Sequence, residues 1–508
     1  MAQLKITDSG EKNWAAAVGN QRNLRHLVTK EIPAEHVAHF LGRTFLFSAI
    51  IVVAIILIAL SSPTEFVRTW LGIFYALLMA ALVVPYGISV KWRAKDFLKP
   101  SMISILYVGA SLSLGALTYE FAYVLVRRTY YLYNSWEYIR ETFSVVSAAL
   151  LGIYFVACFR PQQNDIPSGL RSGADSPIAI AYLFCILVAT FPFEHALLPP
   201  VRTIVACGIL VLVFRSDNPA KWVISLVLLG LLAAISAGDK RHAIFLLASL
   251  GLAYAVFPSV GRSARLSRVQ VMVGGGLGML ITFWLVVAMS IMRGYAGYHV
   301  DDILTALMLV PEYLGRPNAV GMLSLNFEVG YVFFHLHNAV NIALQYADVR
   351  LNGESFAKVL FFGIPEEVFG FKPTSIIESY TRFYDQGFRQ IGGSYGITLV
   401  GEAAWNFGYF APLAAVAVYL ILDILFAKLH AFLRHGVLGG AMLLSYLQYT
   451  LLAARGGGLD MLLAYCVLAG AAGLVILGPI DAFEAASRRR PAPAVRPSLS
   501  PAWPTKGR

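Results

Sequence analysis

Charge is scarce in this chain. Asp, Glu, Lys and Arg make up 14% of its 508 residues, against about 25% in an ordinary soluble domain. Cysteine is scarcer still. Cys158, Cys185, Cys207 and Cys466 all fall inside apolar stretches, and no two form a CxxC pair. That excludes a thioredoxin-like motif and a cysteine zinc site, and leaves them as small apolar residues. There is no Walker motif and no zinc signature. The first 42 residues lack an apolar core, so no cleaved signal peptide is expected and the first span must serve as the insertion signal. Internal repeats of the kind seen in many transporters are missing too.

Apolar residues are abundant. They make up 58% of the chain, and the mean hydropathy is +0.66. The expected class is an all-α polytopic membrane protein. Twelve stretches approach the length that crosses a bilayer: 44–60, 66–90, 103–126, 143–159, 177–195, 201–214, 221–237, 242–258, 269–291, 399–427, 437–453 and 461–478. Val201–Phe214 is the weakest of them. The chain so divides into a cytoplasmic segment (1–43), a nine-span membrane domain (44–291), a long loop with amphipathic helices (292–398), three more spans (399–478) and a disordered basic tail (479–508).

The net charge of +11 points to cytoplasmic loops rather than to nucleic acid. With the N-terminus inside, about 25 of the 40 basic residues fall in inner segments and eight in short outer loops. Such a bias sets orientation, and long loops are left out of the count. The long loop is therefore expected outside the cytoplasm. Within it, 322–347 is apolar but carries Asn326, Glu328, His335, His337, Asn338 and Asn341. A span there would be costly in lipid, so a helix lying on or dipping into the outer face is expected.

Several groups then gather at the outer face. Ser236-Ala237-Gly238-Asp239-Lys240-Arg241 ends one helix and starts another, where backbone N–H groups favour anions. Lys240 and Arg241 there suit a phosphate, or else a plain polar turn. Arg293 follows the ninth span. Glu378, Arg382, Asp385 and Arg389 recur at four, three and four, one stripe on a helix, with each acid four before an arginine. That is a salt-bridged surface face, or two arginines about 10.5 Å apart along the axis reaching for one diphosphate. Tyr380, Phe383 and Tyr384 are expected to pack the helix down. Glu402, with Asn406 one turn on, is either a helix-stabilising acid or a general base. His335 and His337 are two apart, do not share a helix face, and give no metal site.

These residues bring a family into view. Gly238-Asp239-Lys240-Arg241, Ile364-Pro365 running to Lys372-Pro373 with the arginine segment after it, and Gly401-Glu402-x-x-x-Asn406-Phe407-Gly408 resemble the bacterial polysaccharide repeat-unit polymerases of the Wzy type, relatives of the O-antigen ligases. Arg382 and Gly393 also match an Arg-x10-Gly spacing, which is a cheap match among 43 glycines. The resemblance spans roughly residues 220–480. It implies a metal-independent glycosyltransferase without cofactor, related to the GT-C membrane folds. Its substrate would be an undecaprenyl-diphosphate-linked oligosaccharide in membrane lipid, with a chain-length regulator and a flippase as partners. Diphosphate binding would fall to Lys240, Arg241, Arg293, Arg382 and Arg389. The catalytic base would be Glu402, with His337 as second choice. A ligase and a polytopic flippase are the competing readings.

Overall fold

The computed structural model describes residues 34–92, 94–118, 137–159, 177–190, 193, 198–215, 223–225, 227–228, 231, 249–253, 268–292, 298, 300–317, 319, 323–324, 327–361, 372–432 and 436–489. Seventeen α-helices organise them: α1 (Ala34–Ser61), α2 (Thr64–Ser89), α3 (Pro100–Leu117), α4 (Ile139–Phe159), α5 (Pro177–Ala189), α6 (Leu198–Arg215), α7 (Arg268–Met292), α8 (Ile303–Leu314), α9 (Val329–Gln345), α10 (Glu354–Ala357), α11 (Ile376–Tyr384), α12 (Gln386–Gln390), α13 (Leu399–Phe407), α14 (Ala411–Phe432), α15 (Val437–Arg455), α16 (Gly458–Ile476) and α17 (Gly478–Arg489). No β-strand forms among the described residues. Local sequence sets several starts. Pro100 opens α3 at a position that needs no N–H, and Asp302, Ser375 and Thr398 cap α8, α11 and α13 through their side chains.

Among the described residues, eight apolar stretches are long enough to cross a membrane: Leu41–Ser61, Thr64–Ser89, Pro100–Leu117, Ile139–Phe159, Leu198–Arg215, Leu399–Phe432, Val437–Arg455 and Gly458–Ile476. Their outward faces are apolar. On α1, Leu46, Ile50, Val53 and Leu57 form an exposed stripe, a surface that water does not tolerate over such a length and lipid does. The protein is an all-α, multi-pass membrane protein. Eight of the twelve expected stretches coincide with these, and the other four stand as follows. The stretch 177–195 holds a helix of 13 residues. Most of 221–237 and 242–258 lies outside the described residues. The stretch 269–291 is helical within α7, a helix of 25 residues. The weakest expectation, Val201–Phe214, is a helix buried at every residue from Thr203 to Arg215, which is why it reads as apolar on all sides.

Helix ends gather in two sets. At one, Ser101 donates to Asp423 through its N–H (3.1 Å) and its hydroxyl (2.7 Å), and Lys99 donates to Ala157 O. Arg215 pairs with Glu484, and Asp481 accepts the N–H groups of Val437 and Leu438. These last contacts change one expectation: residues 479–489 belong to a helix tied to α6 and α15, not to a disordered tail. At the opposite set, Thr118 meets Ser324 at 2.7 Å, Arg455 meets Glu328, and Glu402 meets Leu459.

The long interruption is likewise not a free loop. α9 is wedged between α3 and α13, with Gly330 and every residue from Val332 to Leu344 buried. It does not lie on a surface. Its polar side chains find protein partners: His335 with Tyr380 (3.0 Å), His337 with Tyr75 (2.6 Å), and Asn341 with Gln345 (2.6 Å). Protein contacts thus relieve the cost that kept this segment out of the interior on paper.

Candidate functional site

The site lies at the Arg455 end, where α10, α11, α12, α13 and the start of α16 meet. The predicted four-residue stripe is broken. α11 stops at Tyr384, and Asp385 starts a new helix by accepting the Phe388 N–H at 2.9 Å. Its other oxygen accepts from the Tyr395 hydroxyl at 3.1 Å. An aspartate that bonds local backbone competes with helix continuation, and here it wins. The two arginines therefore do not stand two turns apart on one helix. Arg382 and Arg389 both donate to Glu378 Oε1, at 3.0 and 3.1 Å. Arg382 is 64% exposed, Arg389 36% and Glu378 33%. The Arg389 hydrogen bond, then the charges of Arg389, Arg382 and Lys358, holds the Glu378 carboxyl below its usual range against some desolvation.

Lys358 joins this group to the next. Its ammonium lies 3.7 Å from Asp460 at the start of α16. Gly458 sits between two carboxylates, since a Cβ there would be 2.9 Å from Asp460 Oδ1 and 3.7 Å from Glu402 Oε2. Gly458 has φ +72°, so the turn requires its freedom.

Glu402 is fully buried. Its Oε1 accepts from Ser355 Oγ and its Oε2 from the Leu459 N–H, both at 2.8 Å. Asn406 completes the knot. Its amide N–H donates to Ser355 Oγ (2.8 Å) and to Glu402 O (2.8 Å), and its oxygen accepts the Gly353 N–H (2.9 Å). Both oxygens of the expected base are thus engaged. His337 departs further from its expected role. It is sealed against Tyr75 and Phe333, and burial pushes its pKa down to about 3. Lys240, Arg241 and Arg293 lie outside the described residues.

Beneath the arginine helices is an aromatic floor. Tyr380 and Tyr384 stack at 5.4 Å, Tyr380 meets Trp405 edge-on at 5.4 Å, and His335 stacks on Tyr395 at 4.6 Å. Packing is the role these tyrosines take, while Phe383 stays partly exposed. Glycines pack the chain here as well. Gly396 and Gly456 cross backbone to backbone, where a Cβ on Gly456 would stand 2.7 Å from Gly396 C. Beside it, Arg455 makes a two-pronged, largely buried pair with Glu328, and its guanidinium lies over the Tyr331 ring at 5.5 Å.

Sequence reasoning missed Ser355, Lys358 and the Glu328–Arg455 pair as site members. Ser355 and Lys358 sit in a segment with no periodicity. The acid of Glu402 with Asn406 four on was the available signal, and it named one half of the knot. Among the described residues, no three His, Cys, Asp or Glu side chains cluster as a metal site.

Fold and site together define a multi-pass, all-helical membrane protein with a cationic strip at one end of its bundle. No family model, no curated protein and no solved structure matches the chain.

Proposed function

We propose that this protein is a polysaccharide repeat-unit polymerase of the bacterial inner membrane, built on about twelve spans in a GT-C-like arrangement. It would transfer a growing glycan from undecaprenyl diphosphate to a lipid-linked repeat unit at the extracytoplasmic face. The observation that carries the reading is the convergence of Arg382 and Arg389 on one carboxylate oxygen at an exposed edge, with Lys358 beside them. A diphosphate leaving group needs positive charge where its negative charge develops. Arginine supplies it with several donors in a fixed fork. Lys240, Arg241 and Arg293 are proposed as further cations of the same cradle.

In this reaction an acceptor hydroxyl oxygen bonds to the anomeric carbon. The bond from that carbon to the diphosphate oxygen breaks, and undecaprenyl diphosphate leaves. The acceptor proton passes to a carboxylate, for which Glu402 is proposed. Ser355 covers Glu402, so opening of the Ser355–Asn406 knot is part of the proposal. The supporting geometry is the short path from cradle to acid: Lys358 faces Asp460, and Asp460 and Glu402 flank Gly458.

The test is the set of lipid-linked glycans in a deletion strain. A polymerase deletion accumulates single translocated repeats. Long polymer retained on its carrier identifies a ligase instead, and absence of translocated repeats identifies a flippase.

A further inference from the structure

Two ion pairs at this end of the bundle differ in kind. Arg455 and Glu328 are largely buried and joined by two prongs, a contact that locks α9 to α15. Glu378 is different. Both of its guanidinium partners end on the same oxygen, and the group is open to solvent. The helix beneath does not depend on that carboxylate, because Ser375 Oγ caps α11 at the Glu378 N–H (3.1 Å). One oxygen held between two guanidiniums is the position a phosphate oxygen takes in an arginine clamp.

We propose that Glu378 is a placeholder anion, which occupies the phosphate position between Arg382 and Arg389 until a diphosphate-bearing ligand displaces it. This rests on the function proposed above for the same arginines. The charges fit an exchange. Lys358, Arg382 and Arg389 against Glu378 and Asp460 leave a formal charge of +1, and moving Glu378 aside leaves +2. Exposed pairs of this kind are weak, so a ligand with several charges displaces the carboxylate and one with a single charge does so poorly. Glu378 thereby orders two long side chains in advance and raises the charge a ligand must carry to enter. It is a specificity-determining residue and not a catalytic one.

The test uses the full-length protein in detergent, titrated with inorganic pyrophosphate by calorimetry. Glu378→Gln is expected to bind at least about threefold tighter than wild type, the order expected for removing one weak exposed competitor. Its unfolding midpoint should stay close to that of wild type. Glu378→Ala should gain at least as much, and the gain should vanish in Glu378→Gln/Arg389→Ala. Equal or weaker binding by both Glu378 variants overturns the proposal, as does absence of pyrophosphate binding in all forms. Failure of the function itself reads differently. Tighter binding in Glu378→Gln, with polymer undiminished in Arg382→Ala/Arg389→Ala, leaves a displaceable anion site that does not serve the donor.

Discussion

Glu402 accepts the backbone N–H of Leu459 at 2.8 Å, although the two lie 57 residues apart in sequence. An acid in the first turn of α13 thus satisfies one of the free donors that begin α16. Through its other oxygen it holds Ser355, and with it the segment that carries Lys358. The knot fixes the floor of the proposed site to the last membrane helix.

Glu402→Ala leaves the Ser355 O–H and the Leu459 N–H without their acceptor in the interior. Each such orphan costs about 1–3 kcal/mol, so the unfolding midpoint of the detergent-purified protein should fall well below that of wild type. Glu402→Gln retains an acceptor and should fall less. Equal midpoints in all three would remove Glu402 from the knot.

Acid should loosen the interior through two histidines. His335 and His337 are both pushed down to about 3, chiefly by burial, with Arg455 adding to the effect on His335. Between that value and the unfolded value of about 6.5 the unfolded chain binds more protons. Stability should therefore rise with pH through this window and be lost as pH falls from about 6.5 toward 3. Melting curves across that range check it, with His337→Phe flattening part of the slope. A wild-type midpoint that does not fall on acidification contradicts the buried, neutral state.

The basic-residue asymmetry predicts sidedness: Lys372 faces the extracytoplasmic space and Arg489 the cytoplasm. Single cysteines at these positions, in a background without the four native ones, are probed with an impermeant thiol reagent in intact spheroplasts. Labelling at 372 alone is expected. Labelling at 489 alone would invert the map.

Hydropathy made the membrane class legible because long apolar helices need little else to be read. It found the core of Leu198–Arg215 as the stretch 201–214, its weakest reading, and left out the helix start at Leu198 with Pro199 and Pro200. It could not see that α9 lies inside the bundle, because its cost in lipid is relieved by partners such as Tyr75 and Tyr380, far away in sequence. The arginine stripe was legible as spacing. Its break at Asp385 was not, because that depends on Tyr395 and Phe388 drawing the carboxylate into a cap. Glu402 stood out as an acid beside a helix start. Its partner Ser355 did not, since no local pattern marks a serine that closes a knot with a residue 47 positions away.

The reaction can be measured directly. Purified protein in detergent is given lipid-linked single repeats with EDTA present, and the lipid-linked products are resolved by size. A ladder of oligomers still on undecaprenyl diphosphate is expected from wild type. Arg382→Ala and Arg389→Ala should each lose most of it while inserting and melting normally, and lysine at either position should rescue poorly because the fork is lost. Repeats that remain single with wild-type protein, or a full ladder from both arginine variants, would contradict a polymerase whose leaving group is held by this pair.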